Sequence, residues 1–407
     1  MPPNTNAATM IEPARVITTD AEAIDVAHAL AKQFAPGAAE RDRDRRLPFA
    51  EIGALKRSGL LAITVPSSYG GADVSIPTLV EVFRILAAAD PSIGQIPQNH
   101  FAAVEILRLD GTDDQKAFFF ERLLRGALFG NATSERGTKD VFNDIRTRLS
   151  SDGNGGHRLN GRKYYSTGAL FADWIPVFAL DPSDRIVAVF VDRDADGLEV
   201  IDDWSGMGQR VTASGTTVLD DVAISPDRVI EHWPTYEAPQ VFGAFNQIMH
   251  VAIDVGIAQA ALNDTLTYVR ERTRPWFESG LEKASEEPHI IKRVGELVVH
   301  LRSAETVLAR AAQILDEVRP GPVTTESATR AILAVAEAKA VATEAALEIT
   351  QELFALAGTS AADDQHNLHR HWRNARTHTL HDPVRWKYHH IGNHALNGAT
   401  PPNHGWL

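Results

Sequence analysis

The chain contains no cysteine. That excludes disulfides, thiolate nucleophiles and cysteine-ligated metals or clusters. Long apolar runs are missing too: no window approaches the roughly 18 unbroken apolar residues of a membrane span. The first residues, "MPPNTNAATMIEPARV", lack a basic segment followed by an apolar one, so no secretory signal is read there. Positive charge is scarce. Lys and Arg number 40 against 53 Asp and Glu, a formal net charge of -13, and no basic stripe suited to nucleic acid stands out. "RDRDRR" (41–46) carries its own acids and reads as a solvated helix face. No Gly-rich nucleotide loop of Rossmann or P-loop type occurs, so no NAD(P)H site is expected, and His-Glu-x-x-His is absent. These absences predict a cytoplasmic protein without a membrane anchor or a nucleic-acid partner.

What remains is a chain of 407 residues, 44% hydrophobic and 23% charged, long enough for two or three domains with a large core. Residues 1–18 read as a loose arm. Helical periodicity then runs from Asp20, broken at Pro36-Gly37, stopped at Gly59 and resumed after the loop "VPSSYGGADVS" (65–75). Near Ala127 the texture changes to short β-rich runs such as "RIVAVFVDRD" and "TTVLDDVAI". That spacing predicts a β-barrel or sandwich. From about Pro239 the pattern is helical again and includes the alanine-rich "AILAVAEAKAVATEAALEITQELFAL". The expected division is an α-helical domain (1–126), a central β-barrel domain (127–236) and a C-terminal four-helix-bundle domain with a tail (237–407).

Histidine is concentrated at the end: nine of the 16 lie between His366 and His404. The densest chemistry is "HWRNARTHTLHDPVRW" (371–386). His378 and His381 are three apart, so on a helix both face one side, and Asn374 shares it. "HNLHRH" does not present three nitrogens to one centre from a regular helix, and no metal site is read.

The α, β, α order and several local stretches resemble the acyl-CoA dehydrogenase superfamily. "GLLAITVPSSYGGADVS", "LNGRKYYSTGALFADWIPVFA", "GMGQRVTASGTTVLDDVAI", "YVRERTRPWF" and "ELFALAGTSA" occur in the family's order. The C-terminal stretch departs from the dehydrogenases. Asp382 falls where short- and medium-chain members carry the glutamate base, one methylene shorter and followed by Pro383. Misplacing a base by about an ångström costs on the order of 100-fold. The same stretch resembles the flavin-dependent monooxygenase branch, that of the dibenzothiophene monooxygenases and related sulfur-oxidising enzymes.

The resemblance implies the oxygenase component of a two-component system, a homotetramer using reduced FMN from a separate NAD(P)H:flavin reductase. O2 is the co-substrate, a C4a-hydroperoxyflavin the oxidant, and a small organosulfur compound the acceptor. An N-hydroxylating enzyme of the same fold and an acyl-CoA dehydrogenase are the alternatives; a non-catalytic flavin-binding scaffold is a third. His381 is the expected catalytic residue, with His378 as orienter or second donor and His100 as a further active-site histidine. Imidazole suits the task because it donates or accepts near neutral pH. The flavin contacts implied are Asn131, Ser134, Ser166, Thr167, Trp204, Arg274 and Ser360, with Arg274 gripping the phosphate from a neighbouring subunit.

Overall fold

A computed structural model of the chain describes residues 14–138 and 144–406. Of the predicted N-terminal arm, residues 1–13 lie outside the described residues. The rest is pinned: Arg15 N donates to Arg57 O at 3.0 Å and Ile17 is buried.

Seven helices follow: α1 (Asp20–Phe34), α2 (Ala38–Asp44), α3 (Phe49–Arg57), α4 (Ile76–Ala89), α5 (Pro91–Gln95), α6 (Gln98–Asp110) and α7 (Asp113–Leu124). Asp90 separates α4 from α5. Its Oδ1 accepts from Ser92 N at 3.0 Å, starting α5, while Oδ2 accepts from Arg41 Nε at 2.9 Å. A side chain that caps the next helix satisfies backbone donors left over at its first turn. The "RDRDRR" stretch is a solvated face only in part: Arg43, Asp44 and Arg46 are exposed, while Arg41 and Asp42 are buried, because Arg41 pairs with Asp90 and Glu51, and Asp42 with Arg373.

The central sheet has seven strands: β1 (Arg148–Ser151), β2 (His157–Lys163), β3 (Trp174–Leu180), β4 (Ile186–Asp192), β5 (Leu198–Ile201), β6 (Thr216–Ile224) and β7 (Val229–Glu231). Their order is β5-β6-β2-β1-β3-β4-β7. The sheet is open, which corrects the expected barrel. Both edges are short strands, and β7 meets a helix instead of closing on β5. Gln115 of α7 donates from Nε2 to Val229 O at 2.9 Å, and Ile230 packs among Phe119, Phe120 and Phe190. A side chain that satisfies an edge carbonyl removes the demand for another strand. Alternation along β3 and β4 is clear: Ile175, Val177, Val187 and Val189 join the sheet's own core, while Phe178 and Phe190 face α6 and α7.

After α8 (Pro234–Glu237), three long helices follow: α9 (Phe242–Glu271), α10 (Pro288–Val318) and α11 (Thr325–Ala357). Two shorter ones, α12 (His369–His378) and α13 (Val384–Asn397), complete the chain. Ala331, Ala334, Ala338, Ala342 and Ala345 of α11 are buried, so small side chains allow α11 to approach α9 closely. α9 is buried on nearly every side. In its middle it still carries Asn246, His250 and Asp254, polar residues four apart on one face. No helix among the described residues is long and apolar enough to cross a membrane.

Candidate active site

A cavity of about 550 Å3 opens where the sheet meets α6, α9 and the end of α12. Its position is set by a loop that crosses from the sheet to α12. Gly208 N donates to Thr377 Oγ1 at 3.0 Å and Gln209 N to Asn374 Oδ1 at 2.6 Å. The approach is so close that a Cβ at Gly208 would sit 2.0 Å from Arg373 O, so only glycine fits. This clamp carries Gln209 into the cavity wall in a left-handed conformation, φ 51°.

Of the expected flavin contacts, Asn131, Ser134, Thr167 and Trp204 line the cavity. The Asn131 carboxamide is already used: Nδ2 donates to Tyr165 O at 3.0 Å and Oδ1 accepts from Thr133 N at 3.1 Å. Thr167, Ser214 and Thr212 form a chain of hydroxyls, each link 2.7 Å. Trp204 donates from Nε1 to Gln209 O at 2.8 Å, which fixes its indole as a wall. Ser166 is not in the lining; its hydroxyl is fully buried behind the wall and meets no protein partner. Arg274 and Ser360 are exposed and lie outside this cavity. They sit in neighbouring segments, tied by Thr273 Oγ1 donating to Ala357 O at 3.1 Å and Tyr268 Oη to Ser360 Oγ at 3.0 Å.

His378 and His381 both line the cavity. His100 does not. Its Nε2–H donates to Leu61 O at 2.6 Å and its Nδ1 accepts from Phe129 N at 3.0 Å. Both nitrogens are spent on backbone and the ring is fully buried, which pushes its pKa down to about 4. His100 thus ties α6 to the backbone at Leu61 and Phe129 and lies outside the cavity lining. Its helix neighbours Gln98 and Asn99 face the cavity instead.

His378 stands on a buried chain of charge. Its Nδ1–H donates to Asp254 Oδ1 at 2.5 Å, and Asp254 Oδ2 accepts from Lys339 Nζ at 2.7 Å. Asp254 and Lys339 are both fully buried. Burial would raise the Asp254 pKa, but Lys339 and His378 hold it below the ordinary carboxylate value. Burial also lowers His378, against the pull of Asp254. His378 Nε2 faces the Gln95 carboxamide at 3.0 Å and His250 Nδ1 at 3.1 Å. His250 then stacks on His381, ring centroids 4.0 Å apart, and the Trp406 indole lies 4.8 Å from the same His381 ring.

Asp382, at the dehydrogenase base position, is buried and absent from the lining. It lies 3.5 Å from His381 Nδ1 and 3.1 Å from Lys387 Nζ. Burial would raise its pKa, but His381, Lys339 and Lys387 hold it far below the usual carboxylate range.

Gln95, Gln209, His250, Asp254, Lys339 and Trp406 were not singled out in the sequence. One signal was present: Asn246, His250 and Asp254 recur every four residues inside an apolar helix. Such a stripe marks a buried polar face.

An open sheet between two helical units, with its cavity at the junction with the last helices, defines an acyl-CoA dehydrogenase fold. Family models agree. Residues 21–127 match the acyl-CoA dehydrogenase N-terminal domain, 130–222 the middle domain and 248–386 the C-terminal domain. The dibenzothiophene monooxygenase of Rhodococcus erythropolis is 33% identical over 397 residues, covering 94% of this chain and 95% of that protein. A protein of Pseudomonas putida named "Probable FMNH2-dependent monooxygenase SfnC" is 31% identical, covering 95% and 98%. The crystal structure of FMN-bound TdsC from Paenibacillus sp. A11-2 superposes with a TM-score of 0.90 at 34% identity, covering 95% of this chain and all of that one. The chain belongs to the acyl-CoA dehydrogenase superfamily, in its flavin-dependent monooxygenase branch.

Proposed function

We propose that this protein is the oxygenase component of a two-component monooxygenase that transfers one atom of O2 to the sulfur of a small organosulfur compound. The observation that carries this reading over dehydrogenation is Asp382. A base must reach the substrate, and this carboxylate is buried behind His381 and ion-paired with Lys387. Two imidazoles face the cavity in its place.

The cavity fits a flavin ring. Gln209 lines it with both carboxamide atoms buried and unmatched by any protein group, a donor and an acceptor side by side as the edge of a flavin pyrimidine requires. Asn131, Ser134 and Thr167 with Ser214 border the same wall, and Trp204 covers it. Reduced FMN, when bound, supplies the two electrons and two protons that convert O2 and an organosulfur compound to its oxide and water. His381 meets the reacting oxygen with its ring N–H, with His378 beside it in the wall as orienter. Phe178, Phe242, Leu380 and Trp406 keep water out, which favours transfer over release of peroxide.

Arg274 and Ser360 belong to the same reading as groups offered to the cavity of a neighbouring copy in a homotetramer. Trp276 and Phe277 beside Arg274 are 60% and 78% exposed, as an arm that packs on another subunit would be when seen alone. A separate NAD(P)H:flavin reductase supplies the reduced FMN. The reading also keeps the division into units 1–126, 127–236 and 237–407.

The test is anaerobically reduced FMN mixed with protein and a panel of thioethers, sulfoxides, sulfinates and amines, then exposed to 18O2. One 18O atom in a sulfur product is expected. Labelling only on nitrogen, or reoxidation of flavin with no labelled product, would overturn the assignment.

A further inference from the structure

His378 and His381 do not touch each other through hydrogen bonds. His250 joins them, and nothing above gives it a task. It is fully buried, hydrogen-bonded to one and stacked flat on the other. We propose that His250 is a positioning residue that keeps His378 uncharged and aligns the His381 ring in the cavity wall. This inference rests on the monooxygenase reading for its purpose, though not for its geometry.

The tautomers follow from the contacts. Asp254 accepts from Lys339, so its charge is already matched before His378 is considered. His378 gives Asp254 its Nδ1–H and, when neutral, keeps a lone pair on Nε2, which the Gln95 carboxamide at 3.0 Å meets with its NH2 end rather than its oxygen. His250 Nδ1, at 3.1 Å, must then be the N–H that donates to it. The opposite arrangement has a proton on His378 Nε2 and a lone pair on His250 Nδ1. It places a second buried cation close to Lys339, where burial and like charge both oppose it. The groups facing His250 are Asp254 on its own helix, Lys339 on α11, His378 on α12, His381 and Asp382 in the following turn, and Lys387 on α13. Lys339, Lys387, His378 and His381 all act against a charge on His250, after burial itself.

A hydrogen bond donated to the neutral form disfavours the charged form. Removing it lets His378 take a proton more easily. The experiment uses full-length, flavin-free protein labelled with 15N at histidine, with His378→Gln to assign the resonance. In His250→Phe, which keeps the ring stack and removes the nitrogens, the His378 titration midpoint is expected to rise by about one pH unit, tenfold in proton affinity. In His250→Asn the side-chain N–H stands where Nδ1 stood, and the midpoint stays close to wild type. With reduced FMN and substrate, the pH dependence of oxygen transfer moves the same way in the Phe variant and returns in the Asn variant.

An unchanged or lowered His378 midpoint in His250→Phe overturns the proposal. So does equal displacement in the Phe and Asn variants. If His250→Phe does not fold, as judged by circular dichroism, the nitrogen shifts of wild type decide. A His250 ring protonated on Nε2, with Nδ1 accepting, sinks the idea. If sulfur oxidation is never observed while the titrations behave as expected, the proposed function fails and the coupling stands.

Discussion

The Nδ1 of His378 lies 2.5 Å from Asp254 Oδ1, so the cavity's imidazole is anchored to a carboxylate that is itself ion-paired with Lys339 at 2.7 Å. The anchor lies on α9 and the imidazole on α12. Charge balance beneath the site is therefore part of what holds these helices together.

Breaking that balance is expected to be costly. Asp254→Asn or Lys339→Met leaves a buried charge without its counterpart, a loss of about 3–5 kcal/mol. The double variant Asp254→Asn with Lys339→Met should be less destabilised than the sum of the two, because no charge is then stranded. Urea unfolding of the four proteins measures the coupling. Strict additivity would show that the pair does not act as a unit.

His100 predicts an acid limb of stability. Its folded pKa of about 4 lies below its ordinary value of 6.5, so the unfolded chain takes up a proton first. Stability on this account is full above pH 6.5 and falls as pH drops towards 4, by about 3 kcal/mol in total. His100→Gln can still accept from Phe129 N and donate to Leu61 O, with no titrating ring. It should flatten the limb in pH-dependent unfolding and leave oxygen transfer within a few-fold of wild type. A loss of 100-fold or so, the size expected for a lost acid–base group, would return His100 to the reacting centre.

Arg274→Ala should weaken FMN binding without unfolding the chain, since its side chain is exposed in the single copy. Losing a hydrogen bond to a charged phosphate costs about 1.5–3 kcal/mol, roughly 10- to 150-fold in Kd. Titration calorimetry with FMN reads this directly. Unaltered affinity in the assembled protein would exclude Arg274 from the flavin site.

Trp406 closes the cavity beside His381 and is held there by Lys387 Nζ donating to its carbonyl. Trp406→Ala opens the wall to water. A several-fold rise in hydrogen peroxide released per reduced flavin is expected, with a matching fall in product, both measured in the same single-turnover mixture. Unchanged coupling would show that the indole does not exclude water.

Much of the architecture was legible in the chain. The runs "RIVAVFVDRD" and "TTVLDDVAI" contain β4 and β6 because alternation and β-branched residues report a strand locally. The strands β1 and β7, of four and three residues, are too short to leave such a pattern. Closure of the sheet was not legible, because it depends on what meets the edge strand, and Gln115 is far from Val229 in sequence. Arg41 and Asp42 looked solvated for the same reason: their partners Asp90 and Arg373 lie in distant segments.

The sequence by itself determined the α, β, α order, the absence of thiol chemistry and the placing of two histidines three apart near the C-terminus. Those are properties of composition and local period. Tertiary structure alone decided which imidazoles face the cavity and which are spent on backbone. It brought Asp254, His250 and Lys339 beneath His378 and turned Asp382 away behind His381. Hydrogen-bond partners and burial are set by packing between distant segments, and no local pattern encodes them.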